Sequence, residues 1–262
     1  MKLSFIVLTH NSQDLIDYCL KNINWADEIV IFDDASTDKT INIAKKYTSK
    51  IYSHKLKTFA DQRNRAFKKA TGDWVFFLDI DERISQKLKK EILAKISSFT
   101  NTAFKMKRLN FFLGKKIKHG GFWPDWQPRL YKRSDFVNFT GDTHETPHFK
   151  GTMGNLDSHL IHFTHKNLLE GLQKSMIWTK QEAQAFIKAN HPSIAWWRLP
   201  RVMLTEFFYR YVKKQGFRDG YVGFVEAIIQ AINKFFIYQQ IWEMQQQPSL
   251  EEQYHQLEKK LE

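Results

Sequence analysis

Two aspartates separated by one residue, Asp79-Ile80-Asp81, close the apolar run WVFFL and lead directly into Glu82. Carboxylates at this spacing can divide their duties. One holds a divalent cation that bridges to a diphosphate, and the other bonds a sugar hydroxyl. Acidic pairs are common in loops, and this one gains weight from its company. Thr9, His10 and Asn11 follow the run LSFIVL, and Asp33 and Asp34 close the run EIVIF. In open α/β sheets ligands bind outside the carboxyl ends of the strands. Three strand ends carrying these residues therefore define a candidate site.

The elements that must position them are legible in the hydrophobic pattern. Residues 3–8, 28–33, 50–53 and 73–79 read as short buried strands. Between them, Ser12 can cap a helix with Leu15, Ile16, Tyr18, Cys19 and Ile23 on its apolar face, Thr37 or Asp38 can cap a second, and residues 61–70 read as a third. This alternation predicts an α/β fold with a doubly wound, mostly parallel sheet. Beyond about residue 100 the pattern changes. Residues 103–113 and 157–165 read as strands, Pro124 and Pro128 exclude a helix between them, and residues 167–190 and 196–242 read as helical with a break near 216–220. The expected division is a ligand-binding α/β domain over 1–165 and a helical, basic extension over 166–262.

Other residue clusters could do chemistry. His144, His148, His159, His162 and His165 lie close together, three of them spaced His-x-x-His-x-x-His. On a strand, however, His159 and His165 face one side and His162 the other, which argues against a three-histidine zinc site. Trp123, Trp126 and Arg129 form an aromatic and basic patch of the kind on which sugar rings stack, although indoles also serve as hydrophobic plugs. Lys166 and Lys174 could meet a diphosphate or a phosphorylated acceptor.

Composition narrows the class. The 262 residues are 42% hydrophobic, 15% aromatic and 26% charged, which excludes collagen, coiled coil and wholesale disorder. One cysteine, Cys19, excludes a disulfide framework and cysteine-rich zinc modules and fits a reducing compartment. The run at 3–9 is too short for a secretory leader. The net charge of +12 is uneven: residues 1–100 hold 17 basic and 13 acidic side chains, residues 101–242 hold 21 and 10, and the last twenty hold two and five. A basic middle region implies a polyanionic partner. Residues 222–242 have the length of a membrane span, but Glu226, Gln230, Asn233 and Lys234 within them favour an amphipathic helix on protein or at a membrane surface. Met203, Phe207, Phe208 and Tyr211 repeat at helical spacing beside Arg198, Arg201 and Arg210, which points the same way.

Residues 4–12 (SFIVLTHNS), 31–38 (IFDDASTD), 61–66 (DQRNRA) and 71–82 (TGDWVFFLDIDE) resemble, in order, the successive signatures of the inverting family 2 glycosyltransferases of GT-A fold. Residues 141–147, 159–178 and 216–244 resemble, more loosely, the small bacterial branch that adds glucose to the lipopolysaccharide inner core. The resemblance implies a nucleotide-sugar donor, UDP-glucose or another UDP-hexose, and a divalent cation, Mg2+ or Mn2+. It places Thr9, His10, Asn11, Asp33 and Asp34 along the nucleotide, Arg63 near the base or diphosphate, and Asn64 in support of that helix. Asp79 falls at the ribose or donor sugar and Asp81 on the metal. His162 matches a histidine that reaches metal or diphosphate, with a structural role as the competing reading. His10 stands where typical members carry Tyr or Arg. Glu145 is the implied general base, with Asp142 as the alternative. The acceptor implied is a lipid-linked or lipopolysaccharide-core glycan, met at the inner face of the cytoplasmic membrane, with no nucleic acid as partner. From another class stands a non-catalytic basic protein on the same fold that binds nucleic acid or glycan.

Overall fold

A computed structural model describes residues 1–98, 101–141 and 145–261. The chain runs β1 (Leu3–Thr9), α1 (Gln13–Asn22), β2 (Glu28–Asp33), α2 (Thr40–Ala44), β3 (Ile51–Ser53), α3 (Phe59–Phe67), β4 (Trp74–Leu78), β5 (Glu82–Ile84), α4 (Gln86–Ile96) and β6 (Ala103–Phe112). It continues with β7 (Lys115–Lys116), β8 (Asp125–Lys132), β9 (Phe136–Thr140), β10 (Thr146–Phe149), β11 (Met153–His165), α5 (Leu168–Lys188), α6 (Arg198–Phe208), α7 (Gly220–Met244) and α8 (Leu250–Glu258).

Chain contacts divide it into two compact units, one of residues 1–111 and 123–164, the other of residues 112–122 and 165–262. The first unit is α/β. Its main sheet runs in the order β3-β2-β1-β4-β8-β6-β11-β5. The first four strands are parallel, and β8 then pairs antiparallel with both β4 and β6, as does β11 with β5. β1, β2 and β4 are buried along nearly their whole length, with mainly apolar side chains, because parallel strands are covered on both faces. Successive side chains alternate between two cores. Leu3, Phe5 and Val7 pack with Ile16, Leu20, Leu88 and Ile92 of α1 and α4. Ile6, Val30 and Phe32 pack with Ala60 and Ala66 of α3.

Register delivers the polar residues to one edge. Thr9 lies opposite Asp33, and Val7 opposite Leu78, so β1, β2 and β4 end together with Asp79 just beyond. Leu130 pairs with Phe76, so Arg129 lies where its side chain can reach Asp79. His162 pairs with Glu82, which brings it beside Asp81.

The second unit is helical apart from the segment 112–122. α7 packs on α5 and on α6. Asp219, just ahead of α7, ties in that segment by accepting from the backbone N–H groups of Lys118 and His119 at 2.9 and 2.7 Å. The helical stretch Gly216–Met244 is long and apolar enough to cross a membrane by length and composition, yet Glu226 and Asn233 on it are buried within the unit. On α6, by contrast, no residue is fully buried. Gly223 admits the carbonyl of Gly216 so closely that no Cβ would fit between them.

Candidate active site

Arg63 is the hub of the site. Thr58 caps α3 by accepting from the Asp61 N–H at 3.1 Å, and Arg63 follows in the same helix. Its guanidinium is held between the rings of Phe77 and Phe139, at 5.8 and 5.7 Å. So fixed, Nη2 donates to Asp79 Oδ1 at 3.0 Å while Nε approaches Glu145 Oε1 at 3.5 Å. Asn64, the next residue, clasps β9 through two bonds with the Phe139 backbone, at 2.9 and 2.8 Å.

Below Asp79 lies a buried charge network. Arg129 donates to both Asp79 and Glu82, Arg108 Nη1 lies 3.4 Å from Glu82, and Arg108 Nε donates to Asp125 at 2.8 Å. Glu82 also accepts from the backbone N–H of Asp79 at 3.1 Å, locking the turn between β4 and β5. Burial would push the Asp79 carboxyl up, but the guanidiniums of Arg129, Arg63 and Arg108 outweigh it and hold it well below the usual range. Glu82, 0% exposed, is pushed up by burial and by the charge of Asp79, against the pull of Arg129 and Arg108. Of the two, Asp79 is the more readily ionised.

Asp81 stands to one side of this network with His162. The imidazole Nδ1 is 2.7 Å from Asn110 Oδ1, which fixes the proton there, and Nε2 points to Asp81 Oδ2 at 3.4 Å. A carboxylate oxygen and an imidazole nitrogen thereby face each other.

The remaining strand-end residues shape the loops after β1 and β2. Thr9 Oγ1 donates to Asp33 Oδ1 at 2.9 Å, and Asp33 accepts from the Ser36 N–H and hydroxyl at 2.8 and 2.6 Å. His10 Nδ1 donates to the Asp34 carbonyl at 2.6 Å, and Asn11 accepts from the Thr37 N–H at 2.9 Å. Asp34 accepts from the Leu56 N–H at 2.6 Å and stays partly open. Asn11 and Ala35 sit at φ 43° and 48°, the left-handed turns that hold these loops at the sheet edge.

A family model described as glycosyl transferase family 2 matches residues 4–161, more than half of the chain and all of the strand ends just described. The chain belongs to glycosyl transferase family 2. An uncharacterized glycosyltransferase of Rickettsia typhi is 26% identical over 249 residues, spanning 89% of this chain and 84% of its own. The lipopolysaccharide core biosynthesis glycosyltransferase LpsC of Rhizobium meliloti is 22% identical over 255 residues, spanning 93% of both. Among solved structures, a mannosyltransferase of Pyrobaculum calidifontis in complex with GDP-Man and Mn2+ aligns with TM-score 0.50 at 16% identity, over 88% of this chain and 73% of that one. That likeness bears on the fold alone. The protein is a glycosyltransferase with a GT-A-like α/β sheet and a helical C-terminal part.

Within this family 2 chain, the residues expected from sequence separate into groups. Arg63, Asp79 and Glu145 come together, as do Asp81 and His162. Trp123 and Trp126 form a half-buried patch with Lys107, whose Nζ lies 5.7 and 5.1 Å from the two rings, and Trp123 meets His159 edge-on at 5.1 Å. Arg129 departs from its expected place in that patch. It is only 6% exposed, and its guanidinium points inward to Asp79 and Glu82, because two buried carboxylates demand a cation. Thr9 and Asp33 are buried and bonded to each other, which makes them supports of the loops after β1 and β2. Asp142 and His144 lie outside the described residues. His148 is engaged with the Thr140 hydroxyl at 2.7 Å. Among the described residues, no group of three or more His, Cys, Asp or Glu is placed to hold a metal.

Glu82, Arg108, Asn110 and Asp125 were not singled out from sequence. A signal existed for two of them. Phe104, Met106 and Phe112 are the inward-facing parity of β6, and Arg108 and Asn110 share that parity. A cation and an amide on the core side of a strand require buried partners.

Proposed function

We propose that this glycosyltransferase moves a hexose, glucose above all, from a UDP-sugar to a hydroxyl of a lipopolysaccharide-core or other lipid-linked glycan, with inversion at the anomeric carbon. The observation that carries the reading is Arg63, whose one guanidinium joins Asp79, on the donor side, to Glu145, the proposed base. Asp34 and Asn11 would line the nucleotide, with His10 beside them, and Asp79 would bond the ribose or donor sugar. Glu145 accepts the acceptor's hydroxyl proton as that oxygen bonds to the anomeric carbon. The bond from that carbon to the diphosphate breaks on the opposite face, and its electron pair leaves with the nucleoside diphosphate. Arg63 steadies both carboxylates through the step.

Asp81 and His162 would hold a divalent cation such as Mn2+ or Mg2+, offering one oxygen and one nitrogen. When bound, that cation neutralises charge on the leaving diphosphate. The name of LpsC supports a lipopolysaccharide-core acceptor, and the GDP-Man and Mn2+ in the mannosyltransferase structure support a metal-assisted nucleotide-sugar donor. Trp123 and Trp126 would stack on acceptor sugars.

Work at the inner face of the cytoplasmic membrane is supported by the helical unit. Trp196 is 81% exposed, and Trp197, Leu204, Phe208 and Val212 are exposed with it, interleaved with Arg198, Arg201, Lys213 and Lys214. Aromatic and cationic side chains so mixed suit an anionic lipid surface.

Calorimetric titration with UDP, ADP and GDP, with and without Mn2+, tests the reading. Binding selective for UDP, strengthened by Mn2+ and losing that enhancement in Asp81→Ala, is expected. No nucleotide binding would remove the donor site, and preference for ADP or GDP would discard the UDP-sugar.

A further inference from the structure

The helical unit has a cavity of its own, about 300 Å3, between α5 and α7 and lined by His165, Lys174, Ser175, Trp178, Gln230 and Asn233. Helical spacing explains the grouping. Lys174, Ser175 and Trp178 share one face of α5, and Gln230 and Asn233 share one face of α7. Gly171 lets the His165 ring lie against α5, since a Cβ there would meet it at 3.2 Å, and Phe112 meets the ring edge-on at 5.3 Å.

The chemistry of the lining is specific. Asn233 is 4% exposed, yet its Oδ1 has no hydrogen-bond partner. A buried carbonyl left unpaired is costly unless something donates to it. Gln230 is held in place by donating its amide to Glu226 at 2.8 Å. Trp178 presents an aromatic surface at 38% exposure, Ser175 adds a hydroxyl, and the half-exposed Lys174 pairs with Glu170 at 3.4 Å. Lipid chains have no use for an unpaired amide, and an inorganic anion has none for an indole. A sugar ring uses both, giving its hydroxyl hydrogens to the amide and its C–H face to the indole. The volume lies at the lower end of ligand pockets, about 300–1,000 Å3, which is room for one ring.

We propose that this cavity is a saccharide subsite that holds one sugar ring of the acceptor glycan, between Trp178 on one side and Asn233 on the other, with Lys174 beside it for an acidic substituent. The assignment of that ring to an acceptor rests on the function proposed above; the recognition of a ring does not.

Saturation-transfer NMR on the full chain tests it, with glucose 6-phosphate as probe and neither UDP nor metal present. Transfer to the ring protons is expected, falling at least fivefold in Trp178→Ala and in Asn233→Leu. Leu fills the cavity and removes the unpaired amide, so the thermal midpoint of Asn233→Leu should hold or rise, which separates lost contact from lost folding. Absence of ring saturation, or saturation that survives both substitutions, overturns the proposal. So does hexanol moving the Trp178 indole resonance while the sugar leaves it unmoved. Asp81→Ala should keep the ring saturation. Should UDP and Mn2+ fail to bind while the ring signal stands, the donor reading falls and the subsite remains.

Discussion

Arg63 and Arg129 meet the same carboxylate from two elements, and their different settings predict different losses. In the proposed reaction Arg63 holds Glu145, the proposed base, so Glu145 should matter for rate. Glu145→Gln should cut turnover at least ~10²-fold while UDP affinity stays within about twofold, by steady-state kinetics beside calorimetry. Unchanged turnover would move the base elsewhere. Arg129 reaches into the interior, so its loss should register first as stability. Arg129→Leu leaves Asp79 and Glu82 with one cation fewer and should destabilise by about 3–5 kcal/mol in urea unfolding, whereas an exposed arginine would cost almost nothing.

At the scale of elements, two buried glutamates, Glu28 at the start of β2 and Glu226 on α7, should give opposite pH slopes. Glu28 opens β2, where it is bonded to Ser4, Lys50 and Thr71, the last through its N–H and hydroxyl, each at 2.7 Å. Burial works against the charged form, but these donors prevail and bring its carboxyl from 4.5 down to about 2. A depressed carboxyl contributes stability that is full above pH 4.5 and is lost as pH falls toward 2. Acid unfolding of Glu28→Gln should lose that part of its pH dependence. On α7, burial raises Glu226 to about 7, with Gln230 and Arg210 only partly opposing it. The folded state then holds a proton that the unfolded chain releases between pH 4.5 and 7, so stability declines as pH rises through that window. Glu226→Gln should flatten the decline and unfold later than the parent at pH 8 on thermal melting. A parent melting curve with no slope between pH 5 and 8 would contradict the placement of Glu226.

For the molecule as a whole, the excess of 40 basic over 28 acidic residues and the exposed aromatic residues beside α6 make one combined prediction. Sedimentation with phosphatidylglycerol vesicles should bring the protein down at low salt and release most of it by 0.5 M salt, as expected for screened surface charge. Replacing Trp196, Trp197 and Phe208 by Ser should weaken binding about tenfold or more. Equal binding to neutral vesicles, or no effect of the triple change, would refute a membrane role for this face.

Much of this was readable in the chain. The apolar runs at 3–8, 28–33 and 73–79 read as short buried strands, and their common polar endings marked a candidate ligand edge, because period and burial are local properties of sequence. Glu145 and His162 could be named only through family resemblance, since nothing local distinguishes them from other loop and strand residues. What tertiary structure alone decided is who meets whom. Arg129 stands five positions from Pro124 beside two tryptophans and looks like part of their patch. Antiparallel pairing of β8 with β4 instead turns it inward to Asp79, fifty residues away in sequence. Likewise no spacing rule joins His165 and Trp178 to Asn233; the packing of α5 against α7 does. Contacts of this range depend on strand order and helix packing, which the whole chain settles together and no window of it contains.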